Sequence, residues 1–218
     1  MIEQARLYLY NAIARVTGAA VSLFARLITA LRPVWLGCEP IADKRVYFAN
    51  HTSNGDFVVV WTALPPSLRS QTRPVAAADY WLASRLRSFA GRWVFNAVLI
   101  DRRPDMRTEN PVDQIVAALD DGYSLILFPE GKRNTTAEAV LPFKTGLYHV
   151  AAARPDVDLV PVWIANLSRI MPKGEIIPLP LLCTVTFGAP LRLNEGEAKA
   201  DFLLRAANEL RALAPVAT

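Results

Sequence analysis

The chain has 218 residues, 52% of them hydrophobic, a mean hydropathy of +0.21, a formal charge of +4 and a pI near 9.3. That length fits one domain with a small helical appendage, and the basic balance suits phosphorylated substrates or acidic lipid surfaces. No Lys/Arg block is read as interleaved with exposed aromatics, so nucleic acid is the weakest of the anionic partners and is not expected. The longest uncharged run, Ile176 to Leu191, contains Pro178, Pro180 and Pro190. It falls short of the ~20 apolar residues of a membrane span. The surplus hydrophobicity is therefore assigned to a core, or to a surface that meets something apolar. Cys38 and Cys183 stand in no metal or redox spacing and read as apolar residues of a reducing compartment. Arg15 and Arg26 interrupt the first apolar stretch, so it is not read as a leader, and a cytoplasmic location is expected.

The first thirty residues read as an amphipathic helix. Leu9, Ile13, Val16, Ala20, Leu23 and Leu27 recur at steps of three and four, and Asn11, Arg15, Ser22, Arg26 and Thr29 form a polar stripe. The helix lies in a bilayer interface or packs on its own domain; periodicity alone does not say which. Residues 1–36 are assigned to this helical segment and 37–218 to an α/β domain.

Val46 to Ala49 predicts a strand, with a helix from after His51 up to Pro65-Pro66. Pro74 to Ala78 predicts a strand, Tyr80 to Phe89 a helix, and Phe95 to Ile100 a strand. Asn110 at the N-cap, Pro111 at the first helical position and Gly122 at the end delimit the best-marked helix. Ser124 to Phe128 reads as a buried strand, Gly146 to Ala153 as a helix, and Leu159 to Ile164 and Thr184 to Phe187 as strands. Phe202, Leu203, Ala206, Leu210 and Leu213 share one stripe of a last helix. Strands alternating with helices predict a mixed, largely parallel sheet flanked by helices, with functional groups in the loops beyond the strand ends.

Three strand ends carry candidate chemistry. His51 follows a strand, and Asp56 stands five residues later. On a continuous helix that spacing turns the two side chains apart by about 140°, so they meet only across a turn. Thr52, Ser53, Asn54 and Gly55 are turn and cap residues. The pair reads as a general base with its orienting carboxylate, or as a hydrogen-bonded structural turn. With no Gly-x-Ser-x-Gly elbow, its simplest catalytic use is direct activation of a hydroxyl. Phe128-Pro129-Glu130-Gly131-Lys132-Arg133 suits a phosphomonoester, with Arg133 as a planar fork and Glu130 orienting it or holding a hydroxyl. The alternative is a solvated charged turn. Asp101-Arg102-Arg103 adds cations at a third strand end, facing the same crevice or forming a surface cluster.

Together these segments resemble the glycerolipid acyltransferase family. Its first block, Asn-His-x4-Asp, matches Asn50, His51 and Asp56; its second, ending in Asp-Arg, matches Val98 to Arg102. Its third, Phe-Pro-Glu-Gly-x-Arg, matches Phe128 to Arg133, and its fourth, Val-Pro-Val, matches Val160 to Val162. Phe143-Lys144-x-Gly146, with His149 beyond it, looks like the family's helix after the third block, so the likeness covers about residues 46 to 163. Lys132 stands where the family often has Thr, and Ala77-Ala78-Asp79 where many members carry Lys; the acceptor headgroup is left open by both. Asn96 is the nearest residue to the Gly that usually opens the second block.

The resemblance implies His51 as general base and Asp56 as its orienter. It implies an acceptor site from Asn50, Arg102, Glu130, Gly131, Lys132, Arg133 and Lys144. It further implies a lysophospholipid acceptor, acyl-CoA or acyl carrier protein as donor, no cofactor and no metal. A peripheral position on the inner face of the cell membrane follows from the same likeness. A thioesterase and a non-catalytic membrane-binding protein of the same fold are the rival readings.

Overall fold

The computed structural model describes residues 2–103, 109–167 and 182–215. The first part of the apolar run from Ile176 to Leu191 lies outside them. In chain order the elements are α1 (Ile2–Thr29), β1 (Arg32–Trp35), β2 (Arg45–Ala49), α2 (Asp56–Ala63), α3 (Pro66–Arg69) and β3 (Thr72–Ala77). Then come α4 (Ala78–Trp81), α5 (Arg85–Phe89), one π-helical turn (Ala90–Val94), β4 (Val98–Ile100) and α6 (Pro111–Asp120). The chain closes with β5 (Ser124–Leu127), α7 (Gly146–Ala153), β6 (Asp158–Ala165), β7 (Thr184–Phe187) and α8 (Lys199–Ala212).

The strands form one seven-stranded sheet in the order β1-β7-β6-β2-β5-β3-β4. Every pairing is parallel except β6 with β7. Alternation along the central strands divides the core in two. Val46, Phe48, Leu125, Leu127 and Leu159 face one side, where Ile115, Leu119, Leu147, Val150, Phe202 and Leu210 of α6, α7 and α8 cover them. Tyr47, Ala49, Ile126, Val160 and Val162 face the other, under Val59, Val60, Trp61 and Leu64 of α2 and its end. The result is a mixed, largely parallel sheet with helices on both faces, as the element pattern predicts.

Four departures have local causes. Arg32–Trp35, placed with the helical segment in the sequence, is an edge strand paired with β7, so it belongs to the sheet. Its Arg-Pro start hides the strand pattern. The helix expected over Tyr80–Phe89 is broken into α4 and α5, with Ser84 capping α5 through Arg87 N–H. The strand expected from Phe95 starts only at Val98, because the π turn runs into it and Asn96 takes a φ of 47°.

The fourth concerns α1. Ala14, Ser22, Ala25 and Thr29 are buried, with Gly18 close to Trp61, so the helix seats on the domain through a stripe of small and hydroxyl side chains. Thr29 Oγ1 turns back onto the Ala25 carbonyl at 2.7 Å, and Arg26 donates to the Thr62 carbonyl at 3.0 Å. Leu9, Ile13, Val16, Leu23 and Leu27 point away from the domain and are exposed, Leu27 by 74%. Ser22 and Thr29 of the polar stripe thus supply buried packing groups while Asn11, Arg15 and Arg26 are exposed, and the apolar stripe is uncovered. Arg6–Thr29 is also long and apolar enough to cross a membrane by length and composition, with a hydropathy of 1.4, although Arg15 and Arg26 lie within it.

Candidate active site

All the predicted site loops leave the same edge of the sheet, because β2, β5, β3 and β4 run parallel. At the end of β2, Asn50 is buried and its side-chain amide behaves as an extra peptide unit. It accepts from Ile164 N–H at 2.7 Å and donates to the Ile164 carbonyl at 3.0 Å, pinning β2 to β6. Asn50 was expected to line the acceptor site; its polar atoms are engaged by β6 instead.

Residues 52–55 form the turn that the spacing requires, and Asp56 opens α2. Asp56 is fully buried. Its Oδ2 accepts from Thr52 N–H at 2.6 Å, from Ser53 N–H at 2.8 Å and from His51 Nδ1 at 2.9 Å. An ionised carboxylate only accepts, so a neutral imidazole paired with it carries its hydrogen on Nδ1 and keeps the Nε2 lone pair. Two backbone donors fix the carboxylate, and the carboxylate fixes the tautomer. The Phe128 ring stacks on the imidazole, with centroids 4.4 Å apart and planes at 25°. The His51 side chain is 21% exposed, open to a substrate while its ring is held on two sides.

The third block grips the main chain of this histidine. Glu130 Oε1 accepts from His51 N–H at 2.7 Å, Glu130 Oε2 accepts from Leu141 N–H at 2.9 Å, and Asn134 N–H donates to the His51 carbonyl at 2.6 Å. Glu130 is buried, and each of its oxygens accepts from a backbone donor. Burial pushes its carboxyl above the usual range, and the N–H groups of Leu141 and His51 oppose that shift. Gly131 closes the turn back to the Phe128 carbonyl at 3.0 Å with φ +69°, a conformation that disfavours a side chain. An added Cβ there would come within 3.1 Å of the Lys144 stem, and Lys144 N–H donates to the Pro129 carbonyl at 2.7 Å.

Lys132, Arg133 and Lys144 are exposed and enter no ion pair among the described residues. They cluster around the strand end next to that of His51. Arg102 sits at the end of β4, three strands from β2, or roughly 14 Å at the usual strand spacing. It makes a two-pronged contact with Asp79 from the end of β3, at 3.2 and 2.7 Å. That pairing holds the Asp79 carboxyl below its usual range. The structure therefore gathers His51, Asp56, Glu130, Gly131, Lys132, Arg133 and Lys144, and leaves Arg102 farther along the same edge. Phe128 opens the third block but was given no role from the sequence, and Asn134, one residue beyond that block, was not singled out. Cys183 is buried, which pushes its thiol up to about 12 and makes it a packing residue.

Residues 37–165 match the family described as Acyltransferase. The chain belongs to the acyltransferase family. It is 31% identical over 147 residues to the 1-acyl-sn-glycerol-3-phosphate acyltransferase of Haemophilus influenzae, covering 62% of this chain and 55% of that protein. It is 28% identical over 164 residues to the enzyme of the same name from Salmonella typhimurium, covering 68% of this chain and 61% of that one. The chain thus spans somewhat more than half the length of these relatives. Its fold matches the crystal structure of the 1-acyl-sn-glycerophosphate acyltransferase PlsC from Thermotoga maritima, with a TM-score of 0.69 at 20% identity. That match covers 97% of this chain and 81% of that one. The acyltransferase match contains His51, Asp56 and the loop from Phe128 to Arg133, so the matched region and the clamped histidine coincide.

Proposed function

We propose that the chain transfers an acyl group from a thioester, acyl-CoA or acyl carrier protein, to the free hydroxyl of a lysophospholipid. The acceptor is 1-acylglycerol-3-phosphate and the product phosphatidic acid. The observation that carries this is the clamp on His51: Asp56 Oδ2 fixes its tautomer and Phe128 its plane, beside a loop of exposed cations. His51 Nε2 takes the hydroxyl proton as the oxygen forms its bond to the thioester carbonyl carbon. The carbon–sulfur bond then breaks, and the departing thiolate recovers the proton from the imidazolium. The products are an ester and a free thiol, and the histidine returns neutral. Arg133 and Lys132 hold the acceptor phosphate, with Lys144 beside them. The acceptor names of the similar proteins support the choice of headgroup.

In the same proposal α1 lies flat on the membrane at the inner face of the cell. Its outward stripe of Leu9, Ile13, Val16, Leu23 and Leu27 sinks among the acyl chains and its small-residue face holds the domain. Incubating the protein with an acyl thioester and a panel of lysophospholipids, with products read by mass spectrometry, tests the assignment. Phosphatidic acid from 1-acylglycerol-3-phosphate is the expected main product. Preferential acylation of a lysolipid with a zwitterionic headgroup would overturn the choice of acceptor.

A further inference from the structure

The segment from Tyr80 to Val94 is absorbed by neither the catalytic clamp nor α1. Its sequence carries Arg85, Arg87 and Arg92 and no acidic residue, and the absence of acids continues to Ile100. Leu82, Leu86 and Trp93 are exposed on it, Leu86 by 77%, and all three arginines are exposed as well. Large apolar side chains and arginines left in water together are unusual on a surface that faces only solvent.

The segment is firmly rooted. Trp81 lies against Gly91, where an added Cβ would come within 3.0 Å of the indole, and it meets Phe57 edge-on at 5.4 Å and Phe95 at 5.9 Å. Phe57 adjoins Asp56, so the root of the segment reaches the catalytic turn. On its other flank Trp93 and Phe89 meet Tyr10 of α1 at 5.2 and 6.4 Å. A shallow crevice between Arg6, Leu7, Tyr10 and Trp93 continues the surface onto α1.

We propose that α5 and the π turn form a second lipid-contact surface that seats on an anionic phospholipid bilayer beside α1. Charge decides the occupant: three arginines that enter no ion pair among the described residues complement anionic headgroups, and a second copy of this basic chain would bring like charges together. Leu82, Leu86 and Trp93 enter the interfacial region, Trp93 at headgroup level where its amphipathic ring is favoured. Two contacts fix the rotation of the domain about α1, which one helix alone does not. The Phe57 and Trp81 root then holds the catalytic edge close to the lipid from which a lysophospholipid is drawn. This inference rests on the reading that α1 docks on a membrane.

The test places an environment-sensitive fluorophore on Leu86→Cys and, in a separate protein, on Val16→Cys, both with Cys38→Ser. Each is mixed with phosphatidylcholine vesicles with and without phosphatidylglycerol. A several-fold rise at both positions with anionic vesicles, and a weak one with neutral vesicles, is expected. A rise at Val16 alone overturns the second surface and leaves the docking of α1 standing; no rise at either overturns both. A rise at Leu86 that is equal on neutral vesicles, or that grows with protein concentration without vesicles, overturns the proposal. Arg85→Gln with Arg92→Gln in the unlabelled protein is expected to weaken partition to anionic vesicles roughly thirtyfold. Unchanged partition counts against it.

Discussion

At the residue scale, the proposed function separates groups that would touch substrate from groups that hold them. His51→Ala is expected to lower kcat by about 10² to 10⁴, the range of a lost general base, with KM for the acceptor little changed. Steady-state kinetics checks this. Asp56→Asn keeps an acceptor for the Thr52 and Ser53 amides but releases the tautomer, so activity falls strongly while thermal stability falls little. Glu130 belongs with the holders. Glu130→Ala strands two backbone N–H groups, and a loss of about 2–4 kcal/mol is expected in urea denaturation. The group also has a pH signature. Its carboxyl is raised in the folded state, so the fold binds that proton more tightly than the unfolded chain does. The resulting stability is fully present below the usual carboxylate range and is lost as pH rises through the folded value. Measured against Glu130→Gln, the wild type is therefore expected to lose stability over that window. A parallel pair of stability curves would contradict it.

At the element scale, α1 carries opposite instructions on its two faces. Gly18 sits with its missing Cβ only 3.4 Å from the Trp61 ring. Gly18→Leu overfills that contact and is expected to cost about 1–3 kcal/mol of stability by denaturation. Leu23→Ser with Leu27→Ser removes exposed apolar groups, so the fold keeps its stability while vesicle sedimentation falls. The sequence shows that α1 has two faces, but not which one is covered. Ala14, Gly18, Ser22 and Ala25 are small enough for close approach, and that advantage appears only once Trp61 stands opposite. Local signals sufficed elsewhere. Asn110 caps α6 through Val112 N–H at 2.9 Å as its position predicts, and the apolar run of β5 is buried throughout. β1 escaped notice because β7, its partner among the described residues, is more than a hundred residues away in the chain. The role of Glu130 was hidden for the same reason. Its partners are backbone amides 79 and 11 residues distant, and amides leave no mark in residue type.

At the scale of the whole molecule, the parallel sheet turns separate sequence blocks into one site. Phe48 pairs with Leu127, so the two chains leave their strands side by side and His51 reaches the loop of Arg133 through Glu130. The first and third blocks are one mechanical unit, which explains why their spacing and order carry more information than either alone. In the proposed function this unit activates a lipid hydroxyl and not water. Thiol release from an acyl thioester, followed with and without 1-acylglycerol-3-phosphate, tests it most directly. Negligible release is expected without the acceptor, and with it one thiol per phosphatidic acid formed. Equal thiol release in the absence of any acceptor would contradict it and make the protein a hydrolase.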